Sequence, residues 1–131
     1  MKKNTGSFFA AVFLLLLLCG CGPELIALNE THNGQIIDCS KGDIVEIRLP
    51  GNPTTGYVWQ QSRRPVNDVV VLKQEKFTEK DSTRQMVGVP GTFFFRYEIT
   101  GRGKEGISLH HKRPWDANST TGKFEILLNV D

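Results

Sequence analysis

The feature that most restricts how this chain can fold is a strict two-residue alternation. Phe93, Phe95, Tyr97 and Ile99 alternate with Arg96, Glu98 and Thr100. Successive side chains of an extended strand point to opposite faces, so this pattern makes one dry and one wet face, whereas a helix needs a period of 3.6 residues. The same alternation recurs in Val45, Ile47 and Leu49 against Glu46 and Arg48, in Ile107 and Leu109 around Ser108, and in Phe124, Ile126, Leu128 and Val130. Val58–Gln61 and the less regular Val69–Phe77 read as further strands, and Leu25–Leu28 and Ile36-Ile37 as short ones. Turn signals separate them at Lys41-Gly42-Asp43, Gly51-Asn52-Pro53, Gly88 to Gly91, Gly101-Arg102-Gly103 and Asn118 to Gly122. No stretch of helical length carries a helical stripe. Seven or eight short strands of this kind predict an all-β, two-sheet sandwich.

With 131 residues, this is one domain, with or without an appendage. Sixteen Lys and Arg against 14 Asp and Glu leave a net charge of +2, which gives no bulk electrostatic case for a nucleic-acid binder. Apolar residues at 39% and charged residues at 23% fit a folded domain, small enough to leave little room for a large catalytic cleft.

The first segment reads as an address. Lys2 and Lys3 precede an uncharged run whose centre, Phe8 to Leu18, is entirely apolar. A basic start followed by a short apolar core is the pattern of a secretory signal. The run leads into Leu18-Cys19-Gly20-Cys21, which resembles the lipobox of prokaryotic lipoproteins. That resemblance implies cleavage before Cys21 and a lipid on the Cys21 thiol. The expected organisation is a signal peptide over residues 1–20, a lipidated tether over 21–24 and a sandwich over 25–131. Two or more acyl chains anchor firmly. The expected location is the cell envelope, with the exported protein lipid-anchored to a membrane. With Gly22 after the lipidated position, the outer membrane is expected if the source is Gram-negative. Removing Lys2 and Lys3 leaves equal numbers of acidic and basic side chains. It also leaves Cys39 as the one cysteine in the folded part, so no inter-sheet disulfide is available.

Conventional catalytic or cofactor motifs are thin. His110 and His111 are adjacent and point to opposite faces of a strand, and His32 is remote, so no metal site is expected. No phosphate-binding loop is present, and no cofactor is implied. Cys39 reads as a small buried apolar group, with a nucleophile as the rival reading.

Three loop clusters stand out. Asn52-Pro53-Thr54-Thr55-Gly56-Tyr57 follows the strand that contains Leu49; Pro53 restricts its own backbone and that of Asn52, so the loop should be stiff. Gly88-Val89-Pro90-Gly91 precedes the aromatic strand, and Arg113-Pro114-Trp115 follows the strand that contains Leu109. A tryptophan at a loop tip is either a binding anchor or a residue folded back onto the sandwich edge.

Together the three clusters resemble the signature of the chagasin family, inhibitors of papain-like cysteine proteases. That signature is Asn-Pro-Thr-Thr-Gly-aromatic, then Gly-x-Gly-Gly, then Arg-Pro-Trp. Asn52 to Tyr57 and Arg113 to Trp115 match it fully, and the second cluster departs at Pro90. The resemblance covers roughly Glu24 to Asp131. It implies an immunoglobulin-like antiparallel sandwich and a reversible, non-covalent inhibitor, not an enzyme, that occludes the protease cleft with three loops. Thr54 and Thr55 would sit over the nucleophile, Arg113 and Trp115 would grip the primed side, and Gly88 to Gly91 would pair with extended backbone on the other side. The expected partners are a papain-like cysteine protease and, through the lipid, a membrane; the expected state is a monomer. The alternative is an envelope-anchored immunoglobulin-like binding or adhesion module without protease inhibition.

Overall fold

A computed structural model of the chain describes residues 22–80 and 88–131. The signal segment and Cys21 lie outside the described residues. Eight strands follow in order: β1 (Leu25–Leu28), β2 (Ile36–Cys39), β3 (Ile44–Gly51), β4 (Val58–Gln61), β5 (Val70–Glu79), β6 (Gly91–Ile99), β7 (Gly103–Lys112) and β8 (Gly122–Val130). They form two four-stranded sheets, β1-β3-β6-β5 and β2-β8-β7-β4. The expected two-layer sandwich is therefore what forms.

The alternating residues supply the space between the sheets. Val45, Ile47 and Leu49 of β3 and Phe93, Phe95, Tyr97 and Ile99 of β6 face Ile107 and Leu109 of β7 and the apolar set of β8, Phe124 to Val130, all of them buried. Tyr97 brings a hydroxyl into this core, and it donates to Gln61 Oε1 at 2.9 Å, so burial leaves no orphan donor. Burial, with a smaller effect from Glu75, pushes the Tyr97 phenol well above its ordinary range.

Three features refine the antiparallel expectation. First, β1 runs parallel to β3 and β2 parallel to β8, while the other pairings are antiparallel. The cause is that consecutive strands β1, β2 and β3 alternate between the sheets, so each short edge strand meets a neighbour two or more strands away in sequence. Second, the crossover from β1 to β2 contains a helical turn, Glu30–His32, capped by the Asn29 side chain, which accepts from Thr31 N–H at 3.0 Å. Third, the irregular reading of Val69–Phe77 has a physical source. The register of β5 against β6 slips between Leu72 and Gln74. The bulge reverses the parity of the inward positions, from Leu72 before it to Phe77 after it, and Lys73 at the bulge pairs with Glu98 of β6 at 3.2 Å.

Three acidic residues, Asp43, Glu46 and Glu105, are buried among the described residues, and Glu46 is the one held between two arginines. Glu46 of β3 is only 3% exposed although its position is on the wet face. Arg96, directly opposite on β6, reaches one carboxylate oxygen through Nε at 3.0 Å, and Arg48 Nε reaches the other at 2.7 Å. Burial alone would raise the Glu46 carboxyl, but hydrogen bonds and charge from Arg96 and Arg48 outweigh it and hold the group below its ordinary value. A carboxyl lowered in the folded state adds stability above its unfolded pKa, and that stability is lost as pH falls through the folded value. The arginine side chains are 47% and 41% exposed, and after solvent screening the contribution should be about 1 kcal/mol. Urea unfolding is therefore expected to weaken below about pH 4.5 in the native chain, and Glu46→Gln should remove part of that dependence while costing about 1 kcal/mol at neutral pH. Identical acid profiles for the two proteins would remove this ion cluster as a source of stability.

Candidate functional site

Strand register brings the loops together. β3 ends at Gly51, which pairs with Gly91 at the start of β6, and Gly91 pairs on its other side with Glu79 at the end of β5. β4 begins at Val58 opposite Lys112, the last residue of β7. The Asn52–Tyr57 loop, the Gly88–Pro90 loop and the Arg113–Thr121 loop thus leave the sandwich from one end.

The first loop is locked by its own residues. Pro53–Thr55 is a single helical turn capped by Asn52, whose Oδ1 accepts from the Thr54 backbone N–H at 3.2 Å and from the Thr54 hydroxyl at 2.6 Å. The Thr55 hydroxyl donates to the Asn52 carbonyl at 2.7 Å. Gly56 closes the turn with φ of 85°, a left-handed conformation that favours glycine, and its N–H donates to Pro53 O at 3.0 Å. The motif thus specifies a pre-formed turn, with Thr54 and Thr55 exposed at its tip.

This loop is also the middle member of a row. On one side the Asn52 side-chain amide donates to Gly88 O at 2.9 Å, joining it to the second loop. On the other side Trp115 lies over Gly56, so that a Cβ built on Gly56 would stand 2.8 Å from Trp115 Cη2 and 3.6 Å from Arg113 Nε. The Arg113 guanidinium caps the Tyr57 ring, 4.6 Å from its centroid. The third loop is braced internally: Arg113 N–H donates to Ser119 Oγ at 2.9 Å, Asp116 N–H to Arg113 O at 3.1 Å, and Asn118 N–H to Asp116 Oδ1 at 2.9 Å.

The residues singled out in the sequence divide into three groups. Thr54, Thr55, Pro90, Arg113, Pro114 and Trp115 are exposed. Trp115 is 74% exposed, so the fold-back reading does not hold. Asn52, Pro53, Gly56, Tyr57, Gly88 and Val89 are half-buried, and of these Asn52, Gly56 and Tyr57 hold the row together. Gly91 is not part of a loop: it is a buried residue of β6, where a Cβ would collide with the Thr78 carbonyl oxygen. The Pro-Gly pair reads as a turn in the sequence, but that glycine serves strand packing. Pro90 contributes its carbonyl, which accepts from Lys80 N–H at 3.1 Å.

Support from beneath was not visible in the sequence. Trp59, on β4, donates its indole N–H to Pro50 O at 2.9 Å. Its ring packs on His111, 5.1 Å between centroids, and His111 packs in turn on Tyr57 at 5.5 Å. Tyr57 and Trp59 share a strand face at period two and meet His111 only through the β4–β7 register; in one dimension His111 was just half of a histidine pair.

Among the described residues no group of His, Cys, Asp and Glu is arranged to hold a metal ion. Cys39 is buried beside Asp43, Asp131 and Asp38; burial first, then those charges, push its thiol up to about 11, so it is protonated at neutral pH and unsuited to act as a nucleophile.

The comparisons with known proteins agree with this architecture. Residues 38–130 match the model of the chagasin family of peptidase inhibitors. Chagasin of Trypanosoma cruzi is 30% identical over 108 residues, covering 79% of this chain and 96% of that protein. Among solved structures, a cysteine protease inhibitor from Entamoeba histolytica superposes with a TM-score of 0.74 at 23% identity, covering 86% of this chain and all of that one. PbICP-C, solved in complex with falcipain-2, superposes with a TM-score of 0.54 at 22% identity over 81% of this chain and 99% of that one. The family is one of inhibitors and not of enzymes, and on the strength of the family match and the 30% identical relative this chain belongs to the chagasin family of peptidase inhibitors.

Proposed function

We propose that this protein inhibits papain-like cysteine proteases reversibly and without a covalent bond, by filling the active-site cleft with its three adjoining loops. The observation that carries the reading is the row itself: a pre-formed Asn52–Tyr57 turn, hydrogen-bonded to Gly88 on one flank and packed under Trp115 on the other. Thr54 and Thr55 stand over the protease thiol, Arg113 and Trp115 grip one side of the cleft, and the Gly88–Pro90 backbone takes the other. Because the turn is already ordered in the free protein, little entropy is lost on docking and more of the contact energy appears as affinity. A turn folded back on its own Asn52 cap does not present an extended peptide to the thiolate, so the inhibitor survives the encounter. The relative solved with falcipain-2 points to this class of partner.

The lipobox reading fits the same arrangement. Glu24 is tied to the far end of the sandwich, where its N–H donates to Asp43 Oδ1 at 3.0 Å and its carbonyl accepts from Ile44 N–H at 2.9 Å. Ile44 begins β3 and the loop row follows the end of that strand. A lipid on Cys21 would therefore hold the protein, as a monomer, to the surface of an envelope membrane with the row directed away from it.

The direct test is titration of the domain from Gly22 onward against papain and a cathepsin. Stoichiometric, reversible loss of activity is expected, and no inhibition of several such enzymes at micromolar protein would overturn the proposal. Trp115→Ala should cost at least 1–2 kcal/mol, roughly a 5- to 30-fold rise in inhibition constant, as for an exposed aromatic anchor. An unchanged constant would take Trp115 out of the interface.

A further inference from the structure

We propose that His111 is a positioning residue for the third loop, holding Arg113 and Trp115 in place only while its imidazole is neutral, so that acidification loosens the loop. The inference deepens the reading of the site and rests on the proposed inhibition for its functional arm.

The Thr121 hydroxyl donates to the His111 carbonyl at 3.2 Å, which leaves its oxygen to accept from His111 Nδ1 at 2.9 Å. On this pairing we assign the proton to Nδ1, which leaves Nε2 a bare lone pair. That Nε2 is buried and has no hydrogen-bond partner. An unfilled acceptor between aromatic rings is tolerable, but a second N–H there would carry a positive charge with nothing to receive it.

The surroundings offer no compensation. Across β4 stand the rings of Tyr57 and Trp59, and across β8 the directly paired Gly122, with Lys123 next to it. Pro50 and Gly51 of β3, beyond Trp59, are uncharged. Within β7 the flanking residues are His110 and Lys112. The charged group nearest through the stack is the Arg113 guanidinium, which caps the same Tyr57 ring that lies on His111. Asp116, the carboxylate of the third loop, is turned to Asn118 N–H. Protonation thus adds a cation beside a cation, under the ring that seats Arg113 and, through it, Trp115. Burial already holds the His111 pKa below its ordinary value. The sign follows: the neutral form is favoured in the fold, its stabilisation is complete above the unfolded value of about 6.5, and it is lost as pH falls from there toward the lower folded value.

Two readouts separate this inference from the function itself. In the free protein, NMR signals of the Trp115 indole and the Arg113 amide are followed from about pH 7.5 down to about pH 4.5. They should shift together with the His111 ring signals, at a midpoint below the ordinary imidazole value of about 6.5. The shift should vanish in His111→Phe, which keeps a flat ring, and in His111→Gln, which keeps a donor for Thr121; His110→Phe should leave it intact. Signals that ignore pH, or that titrate equally in His111→Phe and His111→Gln, overturn the proposal whether or not any protease is inhibited. In the inhibition assay, the ratio of native to His111→Phe inhibition constants cancels the protease's own titration. That ratio should rise by about tenfold or more over the same range, as for displacement of one charge-state equilibrium by a pH unit. A flat ratio with intact inhibition at neutral pH also overturns it, whereas absence of inhibition at every pH counts against the proposed function and leaves the NMR result to decide His111.

Discussion

Replacing Gly56 with alanine is expected to raise the inhibition constant for papain by roughly 30- to 150-fold, equivalent to about 2–3 kcal/mol of lost binding energy. Two independent causes combine. The backbone at Gly56 has φ of 85°, which costs an L-residue roughly 1–2 kcal/mol. The new methyl would also stand 2.8 Å from Trp115 Cη2, so the indole must leave its seat. If the turn relaxes instead, the N–H of residue 56 lets go of Pro53 O, and the tip that carries Thr54 and Thr55 changes shape. Either way two adjoining wedges are misplaced, so the loss should exceed that of Trp115→Ala. The strain is confined to a loop, and the variant should remain folded at the assay temperature. An inhibition constant within about threefold of native would mean that the loops act without regard to their mutual packing, and the pre-ordered row would lose its role.

Gly91→Ala should have the largest effect on stability, about 3 kcal/mol, with a fall in Tm of roughly 10–20 °C. Its Cβ would collide with the Thr78 carbonyl oxygen and stand 2.5 Å from Phe77 Cζ. A backbone oxygen in a paired strand cannot yield cheaply. The end of β5 must part from β6, or Phe77 must leave Phe93, with which it stacks at 4.8 Å. Gly88→Ala is the informative contrast. It carries a left-handed φ of 88° but only Thr54 Oγ1 nearby, at 3.7 Å, so about 1 kcal/mol of strain is expected and little steric conflict. Equal melting temperatures for Gly91→Ala and the native chain would show that β5 and β6 are not packed as described.

These two glycines mark the boundary between what a linear reading can and cannot reach. Both lie in motifs visible as loop signals. Gly56 is where the motif places it, because its turn is built from contacts among residues 52–56, close neighbours in sequence. Gly91 is legible as a turn residue yet functions as a strand residue, because the atoms that forbid a side chain there belong to β5, more than ten positions away. The bulge at Leu72–Gln74 is a similar case: the broken alternation was visible, but only pairing with β6 explains it.

The sequence by itself determined the strands, the two-layer packing, the family and the three segments that form the row, since period-two burial and capped turns depend on neighbours a few residues apart. Tertiary structure alone decided that Asn52 bonds the central turn to Gly88, that Trp115 stands clear of the sandwich while leaning on Gly56, and that His111 lies stacked beneath with an unfilled nitrogen. Those facts depend on the β4–β7 and β3–β6 registers, and register is an agreement between distant segments that no local pattern encodes.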